Sequence, residues 1–254
     1  MARPVIPTTD DPHILRPDSG ETALDNLGKL ELSGDSFTPA PNGRDTLRRP
    51  PAGRETNHRR RVGDLVKADE VLEFWFGRED EPGYGGFREE WFRKDPEFDR
   101  KVRDRFEGLH EQAAAGALDD WRQDARGCLA LVIVLDQFPR NMYRGDPRSY
   151  ATDRKAQETA EYAVDHALDR ELPEFQRAFL YMPFMHSEDL EHQRSAVELF
   201  GTLQEWGGSD PTHYAVLHME IVERFGRFPH RNEVLGRPTT PEEAEFLQEP
   251  GSSF

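Results

Sequence analysis

The chain has 254 residues, 35% of them hydrophobic, and a formal net charge of −16. This length allows one large domain or two small ones, and the acidic balance argues against broad binding to nucleic acid or to anionic membranes. Cys128 is the only cysteine, so no internal disulfide can form. The sequence contains no apolar run of membrane-spanning length and no apolar signal core at its N-terminus. We therefore expect a cytoplasmic protein that binds neither membranes nor nucleic acid.

The first 63 residues differ in composition from the rest of the chain. They contain eight prolines, scattered glycines and no sustained apolar periodicity. Such a segment cannot bury enough apolar surface to offset the entropy lost on ordering. We predict a disordered tail over 1–63, rich in proline and arginine. The remainder, 64–254, holds 40 acidic and 23 basic side chains and is expected to form a single domain.

Helical periodicity runs through most of the chain after residue 63. DLVKADEVLEFWFG predicts a helix that ends at Gly77, and Asp95 followed by Pro96 predicts the start of the next helix, which Gly116 closes. The run CLALVIVLDQF is apolar on every side, which favours a central buried helix. A buried strand is the alternative, but the neighbouring segments do not alternate as strands do. Pro139 is expected to end this helix.

Further helices complete the prediction. They lie at about 153–169, 173–185, 188–206 and 211–225. Thr240, Pro241 and Glu243 form a capping-box sequence that opens a short last helix. Because no segment alternates convincingly as a strand, the sequence predicts an all-α fold of about 8–9 helices without a sheet, joined by short loops that favour antiparallel pairs.

Three polar motifs stand at or beside predicted helix ends. LDQFPRNMYRG, at 135–145, follows the buried helix. YMPFMHSEDLEHQ, at 181–193, contains Pro183, which is expected to break one helix, and Ser187, which is expected to cap the next. RFGRFPHRN, at 224–232, follows a helix that Gly226 is expected to end in the left-handed conformation.

These motifs resemble those of a largely bacterial family, the domain-of-unknown-function 924 proteins. The resemblance covers about residues 66–248 and rests on VLEFWFG, on WF with Asp95, and on LALVIVLDQFPRN, YRG, YMPFMHSEDL and RFGRFPHRN. It implies an all-helical, tetratricopeptide-like array of antiparallel helical hairpins. No activity is established for that family, so the resemblance implies none for this chain.

Two interpretations of the charged motifs remain open. In the first, motif carboxylates pair with motif arginines in a buried network that ties helices together. The residues of this network are Asp136, Glu188, Asp189, Arg140, Arg224 and Arg231. In the second, the motifs converge on one concave surface that binds an anionic or carboxylate-bearing small molecule. The side chains predicted to bind it are Arg140, Asn141, Arg144, His186, Arg224, Arg227, His230, Arg231 and Asn232.

Catalysis is a third interpretation. His186 or His230, beside Glu188 or Asp189, could perform general acid–base chemistry. Glu188 and His192 have the spacing of metal ligands on one helix face, but HSEDLEH lacks the two-histidine zinc signature, so no metal site is expected. A metal-dependent hydrolase remains an alternative.

The sequence contains no phosphate-binding glycine loop and no dinucleotide fingerprint, so no cofactor is expected. The leading hypothesis is a helical domain that binds an unidentified small anionic molecule. The alternative from a different class is a protein–protein interaction scaffold that holds a peptide in a concave groove.

Overall fold

The computed structural model describes residues 67–203 and 210–253. The predicted tail, 1–63, lies outside these residues, and so does the predicted start of the domain at residue 64. Both described ranges are helical, and neither contains a strand. The all-α prediction is confirmed, whereas the tetratricopeptide-like pairing of the helices remains a prediction.

The α-helices are numbered here in chain order, beginning with α1 at 67–76. The others are α2 Pro96–Ala114, α3 Ala125–Val132, α4 Phe138–Met142, α5 Asp153–Asp165, α6 Glu174–Met185, α7 Leu190–Phe200, α8 Pro211–Phe225 and α9 Pro241–Phe246. A π turn, Ile133–Gln137, joins α3 to α4. Short 3₁₀ turns occur at Glu89–Trp91, Asp119–Gln123, Pro147–Tyr150, Leu168–Glu171 and Pro229–Arg231.

Local sequence signals account for many of these boundaries. The Asp95 carboxylate accepts hydrogen bonds from the first-turn amides of α2, and Thr240 and Glu243 form a complete capping box at α9. Gly226 ends α8 with a φ of 67°, a left-handed conformation that costs glycine little because it has no Cβ. These three predictions are confirmed.

The core is built around α3, whose residues Cys128–Val132 are completely buried. This helix packs against α5 and α6, while α2 packs against α4 and α7 against α8. Aromatic rings fill the space beside it, with Trp75 in edge contact with Phe138 and Phe179. Among the described residues, no helix is long and apolar enough to cross a membrane.

The helix that contains α3 does not end at Pro139, which corrects the expectation from the sequence. The chain remains helical through Met142 because the π turn precedes the proline, with the Phe138 amide donating to the Ile133 carbonyl. Pro139 has no N–H to give to the carbonyl of Leu135, which lies four residues earlier. The Thr152 hydroxyl donates to that carbonyl at 2.6 Å instead.

Three other details of the helix ends differ from the prediction. Pro183 lies inside α6, which continues to Met185. The N-cap of α7 is Asp189 rather than Ser187, since its carboxylate accepts from the Glu191 amide. α5 ends at Asp165, and Ala167 then adopts a left-handed φ of 56°. The predicted end of α6 at 185 is confirmed, whereas the N-cap of α7 and the last turn of α5 differ from the prediction.

Candidate functional site

Asp136 is a completely buried carboxylate in the π turn. His186 Nδ1 lies 2.9 Å from both of its oxygens, and Arg140 Nη1 lies 3.1 Å from Oδ1. The Gln137 amide donates to Oδ2 at 2.5 Å. Burial opposes the charged form of Asp136, but Arg140 and His186 outweigh burial, so its pKa lies below its ordinary value. Asp136 is therefore ionised, and it holds the side chains of His186 and Arg140 in place.

Arg140 ties the π turn to α5. Its guanidinium donates to both Asp153 oxygens, at 2.8 and 2.9 Å, and to the Asp136 carbonyl at 2.8 Å. Burial opposes its charge, but Asp136 and Asp153 outweigh this effect and raise its pKa. This planar, two-pronged pairing is the geometry that arginine provides and lysine does not. Most of the binding capacity of Arg140 is thus taken up within the protein.

Arg231 is also buried, but it is poorly matched by its surroundings. Its side chain is 8% exposed, and its guanidinium carbon lies 4.7 Å from the centre of the Tyr150 ring and 4.5 Å from that of Phe228. The carboxylate paired with it, that of Asp153, is 3.6 Å away. Arg231 Nε has no hydrogen-bond partner in the described part of the chain. Burial, followed by the charge of Arg140, lowers its pKa to about 10.

His186 is fixed in one tautomer by Asp136. The ionised carboxylate can only accept, so Nδ1 must carry the proton that it shares with Asp136. Burial lowers the pKa of His186, and Asp136 offsets that effect only in part. The ring is therefore neutral near pH 7, with Nε2 as a hydrogen-bond acceptor.

Two further histidines lie close to His186. The His218 ring is 6.5 Å from the His186 ring, and its Nδ1 donates to the Tyr214 carbonyl at 2.7 Å. Burial lowers the pKa of His218 to about 3 and that of His230 to about 4. His230 interacts electrostatically with Arg231 and His186. Both rings are therefore neutral near pH 7.

These side chains form what we call the arginine–histidine cluster. Its members are Arg140, Arg231, His186, His218, His230, Asp136 and Asp153. The structure thus brings together four residues predicted from separate motifs, which are Arg140, His186, His230 and Arg231. The motifs did not point to Asp153, Tyr150 or the cluster role of His218.

Asn141 and Arg144 belong to a different contact. Both bind the Asp99 carboxylate of α2, Asn141 at 2.9 Å and Arg144 at 2.6 and 3.0 Å. This pairing joins the segment after the π turn to α2. It does not place either side chain against the arginine–histidine cluster.

The remaining motif arginines, Arg224 at the end of α8 and Arg227 just after it, pair with residues of α9. Arg227 donates to both oxygens of Glu243, at 2.6 and 2.8 Å, and Asn232 contacts the same carboxylate at 3.3 Å. Arg224 makes an exposed pair with Glu242 at 3.0 Å. Their partners are carboxylates of α9, which lie outside the three motifs, rather than the motif carboxylates that the structural interpretation named.

The acidic residues of the second motif are not paired as the sequence suggested. Glu188 binds both terminal nitrogens of Arg237, at 2.7 and 2.9 Å, and accepts from the Phe228 amide at 2.8 Å. Asp189 caps α7. Neither carboxylate pairs with Arg224, and Arg237 was missed because it lies outside the motifs.

His192 does not share a site with Glu188. Its Nδ1 lies 2.9 Å from the Ser187 hydroxyl, and its Nε2 lies 2.6 Å from Glu161. Ser187 is only 4% exposed and also accepts from the Asp189 amide, so this chain of contacts connects α5 to the start of α7. Across 67–203 and 210–253, no group of three His, Cys, Asp or Glu side chains could hold a metal ion.

A cavity of about 580 Å³ lies elsewhere, against α2 and α5. Its walls include His110, Tyr143, Arg148 and Lys155, and none of the side chains predicted from the motifs lines it. Arg148 on its rim is already paired with Asp146 in an exposed contact. The arginine–histidine cluster carries the stronger chemical signal because its charges are buried and one of them is incompletely matched.

Glu243 provides a pH-dependent contribution to stability. Its hydrogen bonds with Arg227 lower its pKa to about 2, against an ordinary value of 4.5. A carboxylate with a depressed pKa stabilises the fold fully above its unfolded pKa, and this stabilisation is lost as pH falls toward its folded pKa. We expect Glu243→Gln to lower the unfolding free energy most above pH 4.5, with the difference from wild type narrowing toward pH 2.

Urea unfolding monitored by circular dichroism across this pH range measures the difference. Glu242→Gln is the matched control, because Glu242 is 62% exposed and exposed pairs contribute less than about 1 kcal/mol. A Glu243→Gln deficit that stays constant down to pH 2 would contradict the assignment.

Comparisons with known proteins place the chain in a family. The pattern described as "Bacterial protein of unknown function (DUF924)" matches residues 71–251. A solved structure, that of the protein of unknown function ATU0120 from Agrobacterium tumefaciens, is 41% identical with a TM-score of 0.66, and the match covers 73% of this chain and 99% of that one. No curated protein matches the chain significantly. The chain therefore belongs to the bacterial DUF924 family.

Proposed function

We propose that the arginine–histidine cluster binds a small molecule through a carboxylate or phosphate group. The observation that carries this proposal is the buried guanidinium of Arg231, whose ion pair with Asp153 is as long as 3.6 Å. A buried charge is stable only when it is paired and hydrogen-bonded. An anion that accepts two hydrogen bonds from Arg231 would supply the negative charge and the hydrogen-bond acceptors that the described residues provide only in part.

The surroundings of Arg231 favour such a ligand. The rings of Tyr150 and Phe228 hold the plane of the guanidinium, so little further ordering is needed when a planar carboxylate binds. Arg140 lies on the other side of Asp153 and adds positive potential. The side chains of Arg140 and His186 are 20% and 15% exposed, which supports access for a small ligand from the surface.

Replacement of Arg231 by lysine tests this role. Arg231→Lys keeps the charge but removes the fork of donors, so we expect anion affinity to fall by about 10-fold or more. Stability should fall by only about 1 kcal/mol, the contribution of the ring contacts. The measurement is the rise of the thermal unfolding midpoint with added phosphate, acetate or propionate, which reports binding to the folded state.

Arg224→Lys is the matched control, because Arg224 lies outside the cluster and pairs with Glu242 in solvent. It should retain the response to anions in full. A loss of several kcal/mol in Arg231→Lys, together with a wild-type protein that none of these anions stabilises, would assign Arg231 to architecture alone.

A peptide-binding scaffold is the weaker proposal. Among the described residues, Phe87 and Phe92 are the feature that favours it, since their rings stack 5.6 Å apart and remain 49% and 57% exposed. Two rings are a small fraction of the apolar surface that peptide recognition uses. The buried cation of the arginine–histidine cluster therefore outweighs them.

A further inference from the structure

We propose that the ligand of the arginine–histidine cluster is a small hydroxy acid, whose anionic group binds Arg231 and whose hydroxyl donates to Nε2 of His186. This inference rests on the proposed function and names the class of ligand. It depends on the contact between His186 and Asp136. This contact holds Nδ1 of the ring and leaves Nε2 as a hydrogen-bond acceptor near Arg140.

His186 presents an acceptor of fixed direction. The hydrogen bonds that its ring makes within the described part of the chain both run from Nδ1 to Asp136, at 2.9 Å. Asp136 is completely buried and is itself held by Arg140 and Gln137, so the ring cannot turn without breaking this contact. A carboxylate that orients a histidine in this way determines which nitrogen faces the ligand.

His186 and Arg231 lie on either side of Arg140. Arg140 contacts Asp136, which holds His186, and Asp153, which lies beside Arg231. The two groups that would meet the ligand are therefore linked through one guanidinium and two carboxylates. A hydroxy acid that meets both groups would carry its anionic group toward Arg231 and its hydroxyl toward His186.

The charges around His186 favour a hydroxyl group over an ammonium group on the ligand. The groups that interact with it from other elements are Asp136 in the π turn, Arg140 on α4, Asp153 on α5, His218 on α8 and His230 in the last 3₁₀ turn. The two carboxylates are already paired with Arg140, and the histidines are neutral near pH 7. A ligand ammonium would meet the positive potential of Arg140 and Arg231, whereas a neutral hydroxyl donor would not.

Matched pairs of probes test the inference on the full-length protein. Lactate is compared with propionate, and 2-hydroxypropyl phosphate with propyl phosphate, so that carboxylate and phosphate sources are distinguished. We expect the hydroxylated member of at least one pair to bind about 3- to 10-fold more tightly, the effect of one hydrogen bond. Dissociation constants come from the dependence of the unfolding midpoint on probe concentration.

His186→Asn separates this contact from anion binding. The asparagine amide can still donate to Asp136 but places no acceptor where Nε2 was, so the two members of each pair should bind with equal affinity in this variant. The control is His166→Asn, since His166 is exposed and its ring contacts Tyr162 in the preceding helical turn. It should keep the preference.

The pH dependence gives a second readout that needs no variant. The pKa of His186 lies below its ordinary value of 6.5, so Nε2 accepts at pH 7.5 and becomes a donor once the ring is protonated at lower pH. The preference for the hydroxylated probes should therefore fall as pH decreases through that pKa, while affinity for the plain anions rises.

The outcomes separate the two proposals. Equal binding of both members of each pair, or a preference that persists in His186→Asn, overturns the hydroxy-acid inference and leaves anion binding intact. Failure of every anion to stabilise the wild-type protein overturns the proposed function and this inference together. A preference that is lost in His186→Asn and at low pH, but kept in His166→Asn, supports the inference.

Discussion

Arg140→Met is expected to lower the free energy of unfolding by about 3–5 kcal/mol, because it breaks a buried ion pair by removing one partner. The substitution keeps an unbranched apolar side chain of similar length. It leaves Asp136 without its guanidinium and Asp153 without both of its 2.8–2.9 Å contacts. Asp136 has no access to solvent, so water cannot take the place of the lost donor. Urea unfolding at pH 7.5 measures the loss.

The control for this variant is Arg154→Met. Arg154 is 90% exposed and pairs with Glu158 one helical turn away, so its removal should change stability by less than about 0.5 kcal/mol. A loss below about 1 kcal/mol in Arg140→Met would show that Asp136 is protonated or hydrated, contrary to the structure. The same result would contradict the assignment of Asp136 as the ionised group that orients His186.

Gly127→Ala is expected to be the most damaging single-methyl addition among the described glycines. A Cβ at this position would lie 2.0 Å from the carbonyl oxygen of Trp121 and 2.9 Å from its carbonyl carbon. Both are backbone atoms, so no side-chain rotation can relieve the overlap. The Gly127 amide also donates to the Asp124 carboxylate that caps α3. We expect a loss of about 3 kcal/mol or more, because overpacking and a weakened cap add together.

Gly108→Ala provides the opposite expectation from the same chemical change. Gly108 is exposed in the middle of α2, and a Cβ there would meet nothing within 4 Å. Alanine should therefore stabilise the protein by about 0.5–1 kcal/mol, since it restricts the unfolded chain and favours helix. Thermal unfolding of both variants measures the contrast. Similar midpoints for the two would mean that α3 does not approach Trp121 as closely as described.

The fold could be predicted from the sequence where the decisive contacts are local. The Asp95 cap, the Thr240–Glu243 capping box and Gly226 each act within one helical turn, so their residue types are sufficient. Pro139 shows the limit of this approach. Its helix continues because the Thr152 hydroxyl, from a distant part of the sequence, satisfies the Leu135 carbonyl, and a sequence pattern contains no information on that contact.

The candidate site was predictable in part for the same reason. Arg140, His186, His230 and Arg231 stand in unusual polar motifs at helix ends, and all four lie in the arginine–histidine cluster. Asp153 was missed because it stands in the ordinary first turn of α5. His218 was missed because it lies within α8, outside the three motifs. Tertiary packing alone gives these residues their place in the cluster.

The π turn has a consequence for the side chains that follow it. It accommodates one more residue than an α-helical turn does, and each residue of an α-helix advances the side chains by about 100°. Every side chain after Gln137, Arg140 included, is therefore rotated by about this angle relative to an uninterrupted helix beginning at α3. If the same residues formed a regular α-helix instead, Arg140 would be turned away from Asp153. The cluster thus depends on the backbone conformation of this segment as well as on its side chains.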